Sequence, residues 1–197
     1  MDATIVRDLP ASAINYTTTD ANRFASVSVY FQHAGSFGVA GPHIGLVGAN
    51  NGGFTGAADI GGRITSGGFL QLRSNNATVL IDGTALTLTT GNWYFLQYNV
   101  ERTATADTFT SSISVYNSSS AGVLGSQIDS INSNFTNAGM WADSVVFAAI
   151  RENTSIVNLD NFSLTQGTAI PEPSTFATLA GSLLFSAALI LRRKRSL

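Results

Sequence analysis

"NWYFLQYNVE", residues 92–101, with "TFTSSISVY", residues 108–116, decides the fold. The first run is long, aromatic and rich in residues that fit a pleated, half-buried surface. The second alternates: Phe109, Ser111, Ile113 and Val115 fall on one face at a period of two. Working outward, "ASVSVYF" (25–31) sets Val27, Val29 and Phe31 on one face. "FLQLR" (69–73) and "TVLI" (78–81) flank the turn residues Ser74, Asn75 and Asn76. "SVVFAAI" (144–150) is apolar on both faces, as a central sandwich strand is, and "IVNLDNFSL" (156–164) supplies a last strand. Before Ser174 nothing sustains a helical period apart from a turn near Ala138–Ala142, and there is no internal repeat. Short strands between Gly, Asn and Ser turns predict an all-β fold, a β-sandwich.

The series "GNWYFLQYNV", "SSISVYN" and a closing "LDNFSL" resembles the concanavalin A-like jelly-roll domains of exported bacterial proteins. The resemblance covers about residues 25–165. It implies two antiparallel sheets packed face to face, with the final strand returning beside the first.

Charge divides the chain in two. Residues 1–170 hold six arginines, no lysine and eleven acids, a net of −5; residues 171–197 hold four bases and one acid, a net of +3. An acidic body without a basic cluster argues against nucleic acid. The absence of cysteine excludes disulfides, zinc–cysteine sites and thiol catalysis.

The end of the chain has its own physics. Ser174–Leu191 is eighteen residues without a charge, ~27 Å long as a helix against a hydrocarbon core of ~30 Å. It is read as a transmembrane helix, and the cluster Arg192, Arg193, Lys194 and Arg195 as its cytoplasmic flank. Pro171, Glu172 and Pro173 hold the preceding chain extended and bar a helix. Pro-Glu-Pro, one apolar helix and a terminal basic cluster together resemble the PEP-CTERM sorting signal. That resemblance implies recognition by an exosortase, a membrane protease, in a bacterium that makes extracellular polysaccharide. The expected organisation is a sandwich domain over 1–165, a linker over 166–173 holding the motif, a transmembrane helix over 174–191 and a basic tail over 192–197. The precursor is expected in the inner membrane with its body outside the cytoplasm, and the product at the cell surface or in the matrix. Export needs an N-terminal leader, and "MDATIVRDLPASAINYTTTDANRF" has neither a basic nor an apolar leader region, so an N-terminal truncation is expected.

The body carries no enzyme signature. Jelly-roll glycanases need two carboxylates about 5 Å or about 6.5–9.5 Å apart, and the laminarinase-like Glu-x-Asp-x-x-Glu run is missing. Asp143, Glu152 and Asp160 are read as solvated acids at turns and strand ends, Glu101 being the remaining glutamate of the body. His33 and His43 are read as structural residues near strand ends, lacking a third metal ligand. "GLVGANNGGFTGAADIGGRITSGGF" (45–69) lacks the lysine of a phosphate loop and is read as β-turns and a mobile loop. No cofactor is expected; calcium at Asp160 is the one ion left open, against an Asp bonded to its own turn. Trp141, in "NAGMWADS", is the candidate glycan contact, whereas Trp93 is read as core. The expected function is a structural or glycan-binding matrix protein that is not an enzyme. The alternative is an unrecognised polysaccharide hydrolase or lyase.

Overall fold

The computed structural model describes residues 3–7, 23–37, 40–47, 60–74, 79–103, 105, 108–136, 147–153 and 158–168. These residues form eleven strands. They are β1 (Ala3–Arg7), β2 (Arg23–Gln32), β3 (Ala40–Val47), β4 (Ile60–Thr65), β5 (Phe69–Arg73) and β6 (Val79–Ala85). β7 (Trp93–Arg102), β8 (Thr108–Ser118), β9 (Leu124–Thr136), β10 (Phe147–Asn153) and β11 (Asn158–Thr168) complete the set. The strands make a six-stranded sheet, β1-β10-β3-β4-β5-β6, and a five-stranded sheet, β11-β2-β7-β8-β9. The fold is therefore all-β, a sandwich of two antiparallel sheets consistent with a jelly roll. Its last strands return beside its first, β10 next to β1 and β11 next to β2.

The inner faces meet by strict alternation. In β7, Tyr94, Leu96, Tyr98 and Val100 are buried while Trp93, Phe95, Gln97 and Asn99 are half-exposed. Val27, Val29 and Phe31 of β2, and Phe109, Ser111, Ile113 and Val115 of β8, are buried as their spacing predicts. Opposite them lie Ile44 and Leu46 of β3, Ile60 and Ile64 of β4, and Leu70 and Leu72 of β5. Each such aliphatic side chain contributes about 1.5–3 kcal/mol by leaving water. Phe109 stacks on Phe135 of β9 with ring centroids 5.4 Å apart. Phe31 meets Tyr94 at 5.5 Å.

The glycine-rich stretch 45–69 is not simply a loop: β3 ends in it and β4 and the start of β5 lie within it. Glycine is used there for close approach. A Cβ on Gly62 would come within 2.5 Å of Ile113 Cδ1, so the bare backbone of β4 admits the isoleucine of the facing sheet. A Cβ on Gly45 would collide with the Ile60 carbonyl of the paired strand. These glycines make a strand possible where composition alone suggests none.

Among the described residues no helix is long and apolar enough to cross a membrane. The sandwich unit ends at Gly167. The segment 174–191, the Pro171–Pro173 motif and the basic cluster Arg192–Arg195 lie outside the described residues.

The interlock between sheets predicts a specific rescue. Gly62→Ala should cost about 1–3 kcal/mol in urea unfolding, the usual penalty for overpacking. Ile113→Val, which removes the nearest atom, should recover part of that loss in the double variant. Additive losses in the two substitutions would mean that Gly62 and Ile113 do not share one space.

Candidate functional site

The outer face of the five-stranded sheet is built in cross-strand rows. Pairing sets Tyr30 beside Phe95, Phe95 beside Tyr116, and Tyr116 beside Gln127. The rings of Tyr30 and Phe95 lie 4.8 Å apart and those of Phe95 and Tyr116 6.1 Å apart. The next row is Ser28–Gln97–Ser114–Ser130, and the one after it Ser26–Asn99–Ser112–Asn132. On the other side of the aromatic row stand Gln32, Trp93 and Ser118. These four rows contain no charged side chain. Gln97 Nε2 donates to Ser26 Oγ at 3.0 Å, the Ser114 and Ser130 hydroxyls share a 2.7 Å bond, and Asn99 Nδ2 reaches Ser112 Oγ at 3.4 Å. Ser26, Ser28 and Ser114 are buried and form the floor.

Two hollows open on this face. One, of ≈ 150 Å³, is lined by Tyr30, Trp93, the turn Ser119–Gly122, and Asp160 and Asn161 of β11. Its walls are fixed locally. The Tyr30 hydroxyl donates to the Gly122 carbonyl at 2.8 Å, and Gly122 takes φ +75° in the turn. Asn161 has φ 50°, and its N–H donates to Asp160 Oδ1 at 2.7 Å. That irregularity lets Leu159 and Phe162 both pack on the core although they are three residues apart. The second hollow, of ≈ 140 Å³, lies at the other end, against Phe24, Asn99, Glu101, Thr110 and Ser112. Asn99 Oδ1 is buried there without a hydrogen-bond partner.

The six-stranded sheet presents a different outer face. Arg63 Nε and Arg73 Nη1 both donate to Gln71 Oε1, at 2.7 and 3.2 Å, and Gln71 Nε2 donates to Asp82 Oδ1 at 2.7 Å. Burial lowers the Arg63 guanidinium below its ordinary value, with Asp82 acting in the opposite sense. Arg73 is lowered by burial and then by Arg63, again opposed by Asp82. This network ties β4, β5 and β6 together.

The sequence-predicted residues fall as follows. Trp93 is not core: it is half-exposed on the outer face, and its neighbour Tyr94 takes the buried place. The register puts Tyr94, Leu96 and Tyr98 inward, so Trp93 must point out. Asp160 is exposed and lies within β11 rather than in a turn, its Oδ1 accepting from the Asn161 N–H at 2.7 Å. Glu101 and Asp160 stand at the two opposite hollows; from Trp93 to Glu101 the strand runs ~27 Å. Among the described residues no three acids or histidines cluster to hold a metal. His33 follows β2, and His43 lies within β3 rather than at its end. Trp141 and Asp143 lie outside the described residues, and of Glu152 only the backbone pairing in β10 is described. Tyr30, Phe95, Tyr116 and Asn99 were not singled out in the sequence; their signal is the alternate set of the strand pattern, opposite the core residues.

No family model matches the chain, and no curated protein matches it. Among solved structures it is similar to peanut lectin, at 11% identity over 85% of this chain and 83% of that one, with a TM-score of 0.48. It is also similar to a protein of unknown function from Shewanella oneidensis MR-1, at 15% identity over 83% and 74% of the two chains, TM-score 0.41. An alginate lyase from Pseudomonas aeruginosa matches at 12% identity over 79% and 68%, TM-score 0.38. These are likenesses of broad architecture and carry nothing about activity.

His33 gives the fold a measurable pH response. It is buried, its ring lies 4.7 Å from that of Phe37, and its Nδ1 has no partner. Burial pushes its pKa below 6.5. The unfolded chain therefore binds the proton more readily, and stability falls as pH drops through about 6.5 towards the lower folded value. Replacing His33 by Gln should flatten the decline in melting temperature between about pH 7.5 and about pH 5.5. An unchanged slope would assign the decline to other groups.

Proposed function

We propose that this chain is an exported cell-surface or extracellular-matrix protein whose sandwich binds glycan on the outer face of the five-stranded sheet. The observation that carries the reading is the array of Trp93, Tyr30, Phe95 and Tyr116 set among uncharged amides and hydroxyls. Aromatic faces take the C–H faces of sugar rings, and the amides and hydroxyls take sugar hydroxyl groups. The four central rows carry no charge, which suits neutral sugars. Trp93 joins Trp141, which lies outside the described residues, as a candidate glycan contact.

The same reading makes the protein a binder rather than an enzyme. Glu101 and Asp160, at opposite ends of the face, are much farther apart than the roughly 5–9.5 Å a glycosidase pair needs. Sorting completes the proposal. The resemblance of Pro171–Leu197 to a PEP-CTERM signal supports an inner-membrane precursor, recognised by an exosortase and released to the surface or matrix. In this reading the body is a concanavalin A-like jelly roll followed by one transmembrane helix, with the membrane as a partner before processing and extracellular polysaccharide after it.

Affinity electrophoresis of the full chain in detergent tests the binding. The parent should be retarded in gels holding the host's own polysaccharide. Trp93→Ala should lose most of that retardation with a melting temperature close to the parent's. Leu96→Ala, which opens the core, should instead lose about 2–5 kcal/mol of stability. A parent that migrates freely would sink glycan binding and leave a structural matrix role.

Sorting is tested in an exosortase-bearing host that exports the body. Replacing Pro171, Glu172 and Pro173 by alanines should leave full-length protein in the inner membrane, while the parent appears outside it, shortened. Identical processing of the two would overturn the sorting assignment.

A further inference from the structure

We infer that the face binds one linear, neutral glycan lying lengthwise along β7, with both hollows occupied by the same chain. This rests on the glycan-binding reading above and adds orientation, length and charge class. The two hollows lie on one face of one sheet, because Trp93 and Asn99 are six residues apart in β7 and so project to the same side. They are separated by ~20 Å, six residues of extended strand. Phe95 and Gln97 occupy the positions between them on that side, so the path offers first a ring and then an amide.

The two ends differ in chemistry. At the first, Trp93 and Tyr30 give ring surface beside the carboxylate of Asp160, and the Ser119–Gly122 turn closes the end. At the second, Asn99 Oδ1 is a buried acceptor without a donor. Leaving such a group unsatisfied is costly, and a hydroxyl entering the hollow would supply the missing proton. Sugar hydroxyls are donors of this kind. The carboxylates of Asp160 and Glu101 at the two hollows disfavour an anionic chain. A ligand confined to one hollow would leave either the rings or the Asn99 acceptor unused.

Length dependence tests this. The full chain in detergent is titrated with neutral linear gluco- and manno-oligosaccharides from dimer to octamer, and with oligouronates of the same lengths. Affinity for a neutral series should climb by roughly tenfold or more from dimer to hexamer and then level off. Trp93→Ala and Asn99→Ala should each flatten the climb while leaving the melting temperature near the parent's, and oligouronates should bind at least tenfold more weakly. Binding that is already maximal for the dimer overturns the spanning chain but keeps glycan binding. Oligouronates that bind as well as neutral oligomers overturn the charge class. No binding by any oligomer overturns this inference, and free migration of the parent in the host polysaccharide would then remove the glycan reading with it.

Discussion

A slip of one residue in β7 would turn Tyr94, Leu96, Tyr98 and Val100 out to water and bring Trp93, Phe95, Gln97 and Asn99 against the facing sheet. The register of this strand is the constraint on which the molecule depends. It pairs with β2 on one side and β8 on the other, over nearly its whole length. Burial of four large side chains on one face against two amides on the other makes the wrong register expensive, since buried amides would need partners that the apolar face cannot offer. The core and the candidate binding face are thus fixed by the same choice.

The rest of the sandwich follows from fitting a second sheet to that inner face. Gly62 leaves a notch that Ile113 fills, so the two sheets interlock at a named place rather than sliding over a uniform apolar layer. At the edge, the irregularity at Asp160 and Asn161 re-aims β11 so that Leu159, Phe162 and Leu164 all reach the core. The same irregularity carries Asp160 and Asn161 to the rim of the Trp93 hollow.

Alternation was plainly legible in "ASVSVYF" and "TFTSSISVY", where small polar and large apolar residues take turns, and both patterns appear as buried faces. It was hidden in "NWYFLQYNV", because both faces of that strand carry large rings. Hydrophobicity there cannot tell Trp93 from Tyr94; pairing with Gln32 and Phe31 decides it. β4 was hidden for the opposite reason: "IGGRIT" has too few side chains to look like a strand, and its glycines make sense only with Ile113 across the gap. β9 does not stand out in the sequence because "LGSQIDSINSNFT" is polar on most of its length, as an edge strand with little to bury is. The candidate site shares this difficulty. Its residues are what remains when the core is subtracted, and the subtraction needs the register.

The outer faces of the two sheets show what that remainder can do. On the six-stranded sheet the polar groups answer one another: two guanidiniums converge on one amide oxygen, and that amide's nitrogen is held by Asp82. Charge there is spent on joining three strands. On the five-stranded sheet Gln97 spends one donor on Ser26, Asn99 spends one weakly on Ser112, and the carbonyl of Asn99 has nothing. Trp93, Tyr30, Phe95 and Tyr116 stand half-buried beside these groups. The other sheet leaves Phe69, Val79 and Ile81 exposed but satisfies its arginines, so the difference between the two faces lies in their hydrogen bonds. Unspent hydrogen-bonding capacity next to open aromatic surface is costly to keep, and a ligand that has both C–H faces and hydroxyl groups offsets that cost on both counts.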